Sequence, residues 1–329
     1  SVPGDEDVTL RMDVRVPGRT ATVSAVVPRD RLKQGVALVS HPGTADKAFR
    51  SLVSTFSDYT VRGGFVRDPA AALGPVALTQ YTVQDDILKL TAQCFPQPAG
   101  TEATLWVYRD GTWRKAAATP VHSIDQAAYF RVEGWDSSEA VPFRVTVPVP
   151  GSVEPAAYTG LIAGRPTGDA LRLGVLGCVI HRPWGQVANW RNQLYFPHED
   201  LERHVAEWAP DAVFFYGDQM YEGTPSYVDR KNYHEDYLYK WLFHCVAFHD
   251  LVRDVPSVTI PDDHDLYQGN HWGEGARAAP NNNHNFGGYA HPGAFVAQVH
   301  RTQTAHLPDP YEPGCLEQGI PAYHTEWTW

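Results

Sequence analysis

A chain of 329 residues, 43% of them hydrophobic, is long enough for more than one cored domain, and a formal net charge of −11 with no basic run disfavours nucleic-acid binding beyond a diester taken as substrate. No apolar run approaches the ~20 residues of a membrane-spanning helix. The four cysteines, Cys94, Cys178, Cys245 and Cys315, are too sparse for a disulfide framework, although the sequence leaves a bridge from Cys94 or Cys315 open.

The first 80 residues carry no recognisable chemistry and read as a β-rich region. Residues 8–16 and 20–27 alternate apolar and polar around Pro17-Gly18, the pattern of a hairpin, and 49–59 suits one helix. From 81 to 168 short alternating strands recur at 87–93, 104–108, 127–132 and 143–147, with Gly, Pro and Asp turns between them. That spacing predicts an antiparallel β-sandwich, with Trp106, Tyr108, Trp113, Phe130 and Trp135 as core. A different pattern governs 169–329. Residues 171–177 form a continuous apolar run, as in a strand buried on both faces. A helix at 198–208, a strand running into Asp218, a helix at 233–253 and a strand at 255–260 follow. Together they predict a βαβαβ unit with a mostly parallel sheet. Cys245 falls in the second helix as a core thiol. The Gly-, Asn- and His-rich stretch 268–292 is a long loop, and 294–304 suits a last helix.

Chemistry concentrates at the ends of the three strands. In the run Phe215-Tyr216-Gly217-Asp218-Gln219-Met220-Tyr221, glycine lets the chain turn, and a carboxylate and a phenol follow within one turn. Hard anionic oxygens of that kind suit Fe3+ or another hard cation. Pro261 ends the third strand and Asp262-Asp263-His264-Asp265 follows, four ionisable groups whose close approach is costly unless a cation offsets them. The first strand ends at Cys178. All three blocks leave carboxyl ends of one parallel sheet, where ligands bind in open α/β folds. On an acidic protein, a site for an anionic substrate would need local cations.

Gly217-Asp218-x-x-Tyr221 resembles the Gly-Asp-x-x-Tyr signature shared by purple acid phosphatases and alkaline phosphatase D (PhoD-like) enzymes. Asp262-Asp263-His264-Asp265 resembles the PhoD-like form of the metallophosphoesterase Asn-His-Asp/Glu block. Residues 173–178 resemble the PhoD-like block in which Cys replaces Asp-x-His. The resemblance runs from about residue 81 to the end. It implies an α/β metallophosphoesterase-like domain preceded by an all-β, Ig/fibronectin-like sandwich, in a secreted or periplasmic protein that hydrolyses small phosphate esters with two metals. It implies Asp218 as the bridging ligand, Cys178 and Tyr221 on an Fe3+, and Asp263 on a second ion, Ca2+ with Zn2+ or Mn2+ as alternatives. His264 would assist the leaving group, oriented by Asp265 or Asp262. His181, His271, His284, His291, Arg182 and Arg277 are secondary pocket candidates. The family's later Gly-Asp-x-His type block has no counterpart before Trp329. The expectation is therefore the front part of a longer enzyme, with an apolar sheet face left open around 173–176 and 213–215. The alternative is a non-catalytic binding protein with a degenerate phosphatase-like domain.

Overall fold

Period-two alternation pairs β1 (Asp7–Val16) with β2 (Arg19–Pro28) as the expected antiparallel hairpin, in register from Asp7 opposite Pro28 to Val16 opposite Arg19. The computed structural model describes residues 7–16, 19–28, 74–149, 152–180, 198–224, 228–229, 231–269 and 273–329. The helix expected at 49–59 lies outside them. The hairpin belongs to one compact unit, and Pro75–Trp329 belong to a second, which holds every residue singled out for chemistry.

In the second unit the strands β3 (Val76–Gln84), β4 (Ile87–Cys94) and β7 (Ala127–Glu133) form one antiparallel sheet. β6 (Thr112–Pro120), β5 (Glu102–Arg109), β8 (Val141–Val147) and β9 (Ala156–Ile162) form another. Tyr81, Leu88, Leu90 and Phe130 from the first sheet share a core with Leu105, Val107, Phe143 and Val145 from the second. Trp135 joins that core, but Trp106, Tyr108 and Trp113 do not. Alternation decides this: Leu105 and Val107 take the inward positions of β5, so Trp106 and Tyr108 point outward. On that outer face the Arg144 guanidinium lies 5.3 Å from the Trp106 ring centroid and 4.6 Å from that of Trp113. Cys94 and Cys245 are buried free thiols, and Cys178 and Cys315 are exposed and also free.

The α/β part follows the expected order. β10 (Leu173–Leu176), β11 (Ala212–Phe215) and β12 (Ser257–Thr259) are parallel neighbours, with α1 (Glu199–Glu207) and α2 (Tyr233–Phe248) as the connections between them. Val213 and Phe215 face α2 and pack in one core with Trp241, Cys245 and Phe248. The opposite face carries Val175, Phe214 and Val258 in register across the three strands, with Leu173, Tyr216 and Ile260 around them. Leu173, Val175, Tyr216 and Ile260 are exposed. The open apolar face is therefore real at Leu173 and Val175, while α2 covers Val213 and Phe215. α2 ends at Phe248, short of the expected 253, because side chains claim the groups that would continue it. The Glu202 carboxylate accepts the Leu251 N–H at 3.0 Å, and the His249 ring donates to the Val246 carbonyl at 2.9 Å. The last helix, α3 (Gly293–Thr304), lies where the pattern places it.

Sandwich and α/β part meet through polar groups. β3 is buried along almost its whole length. Gln80 on it donates to the Ser257 and Thr259 hydroxyls of β12, and Gln93 of β4 accepts the Trp241 indole N–H at 3.0 Å. Asp125 is fully buried and takes a two-pronged hydrogen bond from Arg301 of α3, at 2.7 and 2.8 Å.

His306 lies just past α3, fully buried. Its Nε2 donates to the Ser257 carbonyl at 3.0 Å, and Nδ1 has no partner among the described residues. Burial, with Lys89 adding to it, pulls its pKa down to about 3. The unfolded chain takes up that proton near ~6.5. Stability is thus intact above ~6.5 and drains away as pH falls from there through the folded value. In His306→Gln, whose amide can still donate to Ser257, the drop in Tm from about pH 7 to about pH 4 should be shallower than in the wild type. Parallel Tm curves would show that His306 does not report the burial described.

Candidate functional site

The ends of β10 and β11 stay paired after the strands finish. The Cys178 N–H donates to the Gly217 carbonyl at 3.1 Å and the Val179 N–H to the Asp218 carbonyl at 2.8 Å. Cys178 and Asp218 both adopt left-handed backbone, with φ of 54° and 51°. That conformation costs a non-glycine residue about 1–2 kcal/mol. Gly217, at φ 121°, has no β-carbon because one there would collide with the Cβ of Asp262. Glycine therefore lets the second and third strand ends touch.

Asp218 is the meeting point. Its Oδ2 accepts the Tyr221 O–H at 3.1 Å and lies 3.7 Å from the Cys178 Sγ, while Oδ1 accepts the His264 N–H at 3.3 Å. Ligand-capable atoms of Asp218, Asp263 and His264 all lie within 4.8 Å of one another. The Tyr221 and His264 rings are 4.2 Å apart at their centroids. Cys178, Asp218, Tyr221, Asp263 and His264, drawn from three strand ends, thus form one constellation. Asp218 and Asp263 are buried, and among the described residues no Lys or Arg pairs with either. Two buried carboxylates, a phenol, a thiol and an imidazole make a donor set that suits cations with oxygen and thiolate ligands.

Asp265 does not orient His264. It is fully buried, and its carboxylate accepts the Asp262 N–H at 3.0 Å and the Gln303 side chain at 3.1 Å, beneath the turn rather than beside the imidazole. Glu222 makes the contact expected of Asp265 or Asp262: its Oε2 lies 2.7 Å from His264 Nδ1. Glu222 stands outside the sequence motifs, signalled only as an acid directly after the phenol in the same turn. Gln219 takes one of the unspecified positions of Gly-Asp-x-x-Tyr. That amide donates to the Ile260 carbonyl at 2.7 Å and to Gln303 at 3.0 Å, and its own oxygen accepts the Gly217 N–H at 3.1 Å.

Electrostatics follow the burial. Desolvation raises the Asp218 pKa, offset in part by His264. Desolvation and then the Asp218 charge raise the Tyr221 phenol, so without a cation it is protonated and donates to Asp218. Burial alone would lower His264, but Glu222, Asp218 and Asp263 outweigh it and the net shift is upward. Of the secondary candidates, His181, Arg182 and His271 lie outside the described residues, as does the side chain of His284. His291 is engaged with the Tyr267 carbonyl at 2.9 Å, and Arg277 with Glu274 and the Phe286 carbonyl.

No family model matches the chain, and no curated protein matches it in sequence. Solved structures do. The structure of PhoD is similar with a TM-score of 0.50 at 15% identity, over 75% of this chain and 48% of that one. Over the part that aligns, the fold is similar to that of PhoD. A purple acid phosphatase, PPD1 from seeds of yellow lupin (Lupinus luteus), aligns with a TM-score of 0.42 at 12% identity, over 70% of this chain and 41% of that one. The chain spans about half the length of PhoD and less than half of the lupin phosphatase. No described helix is long and apolar enough to cross a membrane.

Burial pushes the Asp265 pKa up to about 7, against the pull of its hydrogen bonds from Asp262 and Gln303. The folded value lies above the ordinary 3.8. Its contribution to stability is therefore full below that ordinary value and is lost as pH rises through the folded one. With a chelator present, Asp265→Asn should gain Tm relative to the wild type between about pH 5 and about pH 8. A Tm difference that does not change with pH would mean that Asp265 ionises as easily in the fold as outside it.

Proposed function

We propose that this chain carries the catalytic face of a metal-dependent phosphoesterase acting on small phosphate esters. The observation that carries the reading is the convergence on Asp218: thiol, phenol, imidazole and a second carboxylate gather around it at the carboxyl end of a parallel sheet. The resemblance of the three sequence blocks and the PhoD-like fold support it.

Cys178, Tyr221 and Asp218 would hold one ion, read as Fe3+. Asp218 and Asp263 would share a second, read as Ca2+ with Zn2+ or Mn2+ as alternatives. Such a pair of ions supplies Lewis-acid charge for the phosphoryl oxygens and for an attacking water. The residues themselves do the rest. Asp218, with lone pairs on two oxygens, can face both ions at once. Asp263 adds negative charge where a cation would offset it. His264, its Nδ1 taken by Glu222, has Nε2 without a partner among the described residues, and that nitrogen can deliver a proton to the departing alkoxide. The Glu222 carboxylate at Nδ1 favours its protonated form. The rival reading, a cation-binding protein without turnover, rests on the ligand set, since Asp218, Asp263 and His264 are the one group of three such ligands among the described residues.

Two measurements test the proposal. Loaded with Fe3+, the chain should show a visible phenolate-to-iron absorption that Tyr221→Phe removes; an unchanged band in the variant would take Tyr221 out of the ligand set. In a form of the protein that turns over aryl phosphates, His264→Ala should lower kcat by ~10²–10⁴, the usual weight of one general acid. The loss should shrink as the leaving group becomes more acidic and needs no proton. Equal losses across leaving groups would assign His264 to structure or metal binding. Cation binding with no hydrolysis in any form of the protein would favour the rival.

A further inference from the structure

Behind the cleft lies an ion pair that the proposed chemistry does not use. Lys240 on α2 is fully buried. Its Nζ donates to Asp236 Oδ2 at 2.6 Å and to the backbone carbonyl of Glu222 at 2.6 Å, and it lies 5.0 Å from the Tyr267 ring centroid. Asp236 also accepts the Tyr267 O–H at 2.7 Å and the Asp229 N–H at 3.2 Å. The bond to the Glu222 carbonyl ties this pair to the site. The Glu222 side chain reaches the other way, to His264 Nδ1 at 2.7 Å.

A carboxylate can only accept, so the ring nitrogen facing it must carry a hydrogen. A neutral imidazole has one such hydrogen, which leaves Nε2 with the lone pair; in the imidazolium form, Nε2–H is the proton free to leave. We propose that Glu222, held by its backbone to the buried Lys240–Asp236 pair, is a positioning residue that fixes His264 in the Nδ1–H tautomer and keeps Nε2 for the substrate. This deepens the reading of His264 as proton donor and rests on it for its purpose, though not for its test. The bland alternative is a surface ion pair, for the Glu222 and His264 side chains are each 34% exposed, and pairs of that kind hold geometry weakly. The buried ammonium on the Glu222 carbonyl argues against it, because it orders the carboxylate's own backbone before His264 is met.

The tautomer can be read directly from the ring-nitrogen shifts of the 329-residue chain, labelled with 15N-histidine, metal-free, and at a pH well above the imidazole titration. His264→Gln identifies the His264 signals by their loss. The wild type should show the Nδ1–H form. Glu222→Ala should turn His264 to the Nε2–H form, and Glu222→Gln, whose carbonyl oxygen can still accept, should restore Nδ1–H. An Nε2–H ring in the wild type, or a ring unchanged by Glu222→Ala, overturns the proposal. The brace is tested with Lys240→Met and Asp236→Leu together, which leaves neither charge buried alone. Folded, as judged by circular dichroism, that variant should show a mixture of tautomers; an unchanged ring overturns the role of Lys240. If it does not fold, the Glu222 series still decides. No substrate or metal enters these measurements, so a negative result strikes the positioning role alone, and a failure to hydrolyse phosphate esters strikes the phosphoesterase reading alone.

Discussion

Everything at the cleft rests on a buried layer of hydrogen bonds beneath it. Gln219, Gln303, Asp265 and Tyr237 are all fully buried. Gln219 ties Gly217 and Ile260, and Gln303 ties Gln219, Asp265 and the Tyr237 hydroxyl, which in turn meets Thr302 at 2.6 Å. An unpaired amide or carboxylate at that depth would cost about 1–3 kcal/mol. Because each group finds a partner, the layer locks the loops after β11 and β12 to α2 and α3. Asp218 and Asp263 can then be held close together, at a separation that free loops would relax by turning their charges apart.

The same economy of polar groups joins the sandwich to the sheet. Gln80 and Gln93 lie on the side of the first sandwich sheet that faces away from its core, and Asp125 lies in the turn before β7, where water would ordinarily satisfy them. Here Ser257, Thr259, Trp241 and Arg301 do so instead. The consequence for the site is rigidity from behind: β12 is fastened to β3 within a few residues of Asp263. It also makes the sandwich part of the support of the cleft rather than an appended module.

Much of this was legible in the sequence, and the pattern of success has a physical basis. Parallel strands announce themselves as apolar runs, and Gly177-Cys178, Gly217-Asp218 and Pro261-Asp262 mark where they end. The βαβαβ order and the meeting of Cys178, Asp218, Tyr221, Asp263 and His264 could therefore be read in advance. What could not be read is what depends on side-chain direction. Asp262 and Asp265 lie on either side of His264 in sequence, but the short helical turn from His264 to Leu266 sends Asp265 inward to Gln303. Glu222 meets the imidazole beside Tyr221, whose ring packs against it. Likewise Trp106 and Trp113 are aromatic enough for any core, and only the register of β5 and β6 sends them outward to Arg144.

The contact between Gly217 and Asp262 has a further meaning. The two acid-bearing blocks are 45 residues apart in the chain, yet the missing side chain of one is the space occupied by the other. A substitution at Gly217 would push Asp262 outward and carry Asp263 with it, and so would move both carboxylates at once. Sterically the two motifs therefore behave as a single part: a side chain added to one displaces the other.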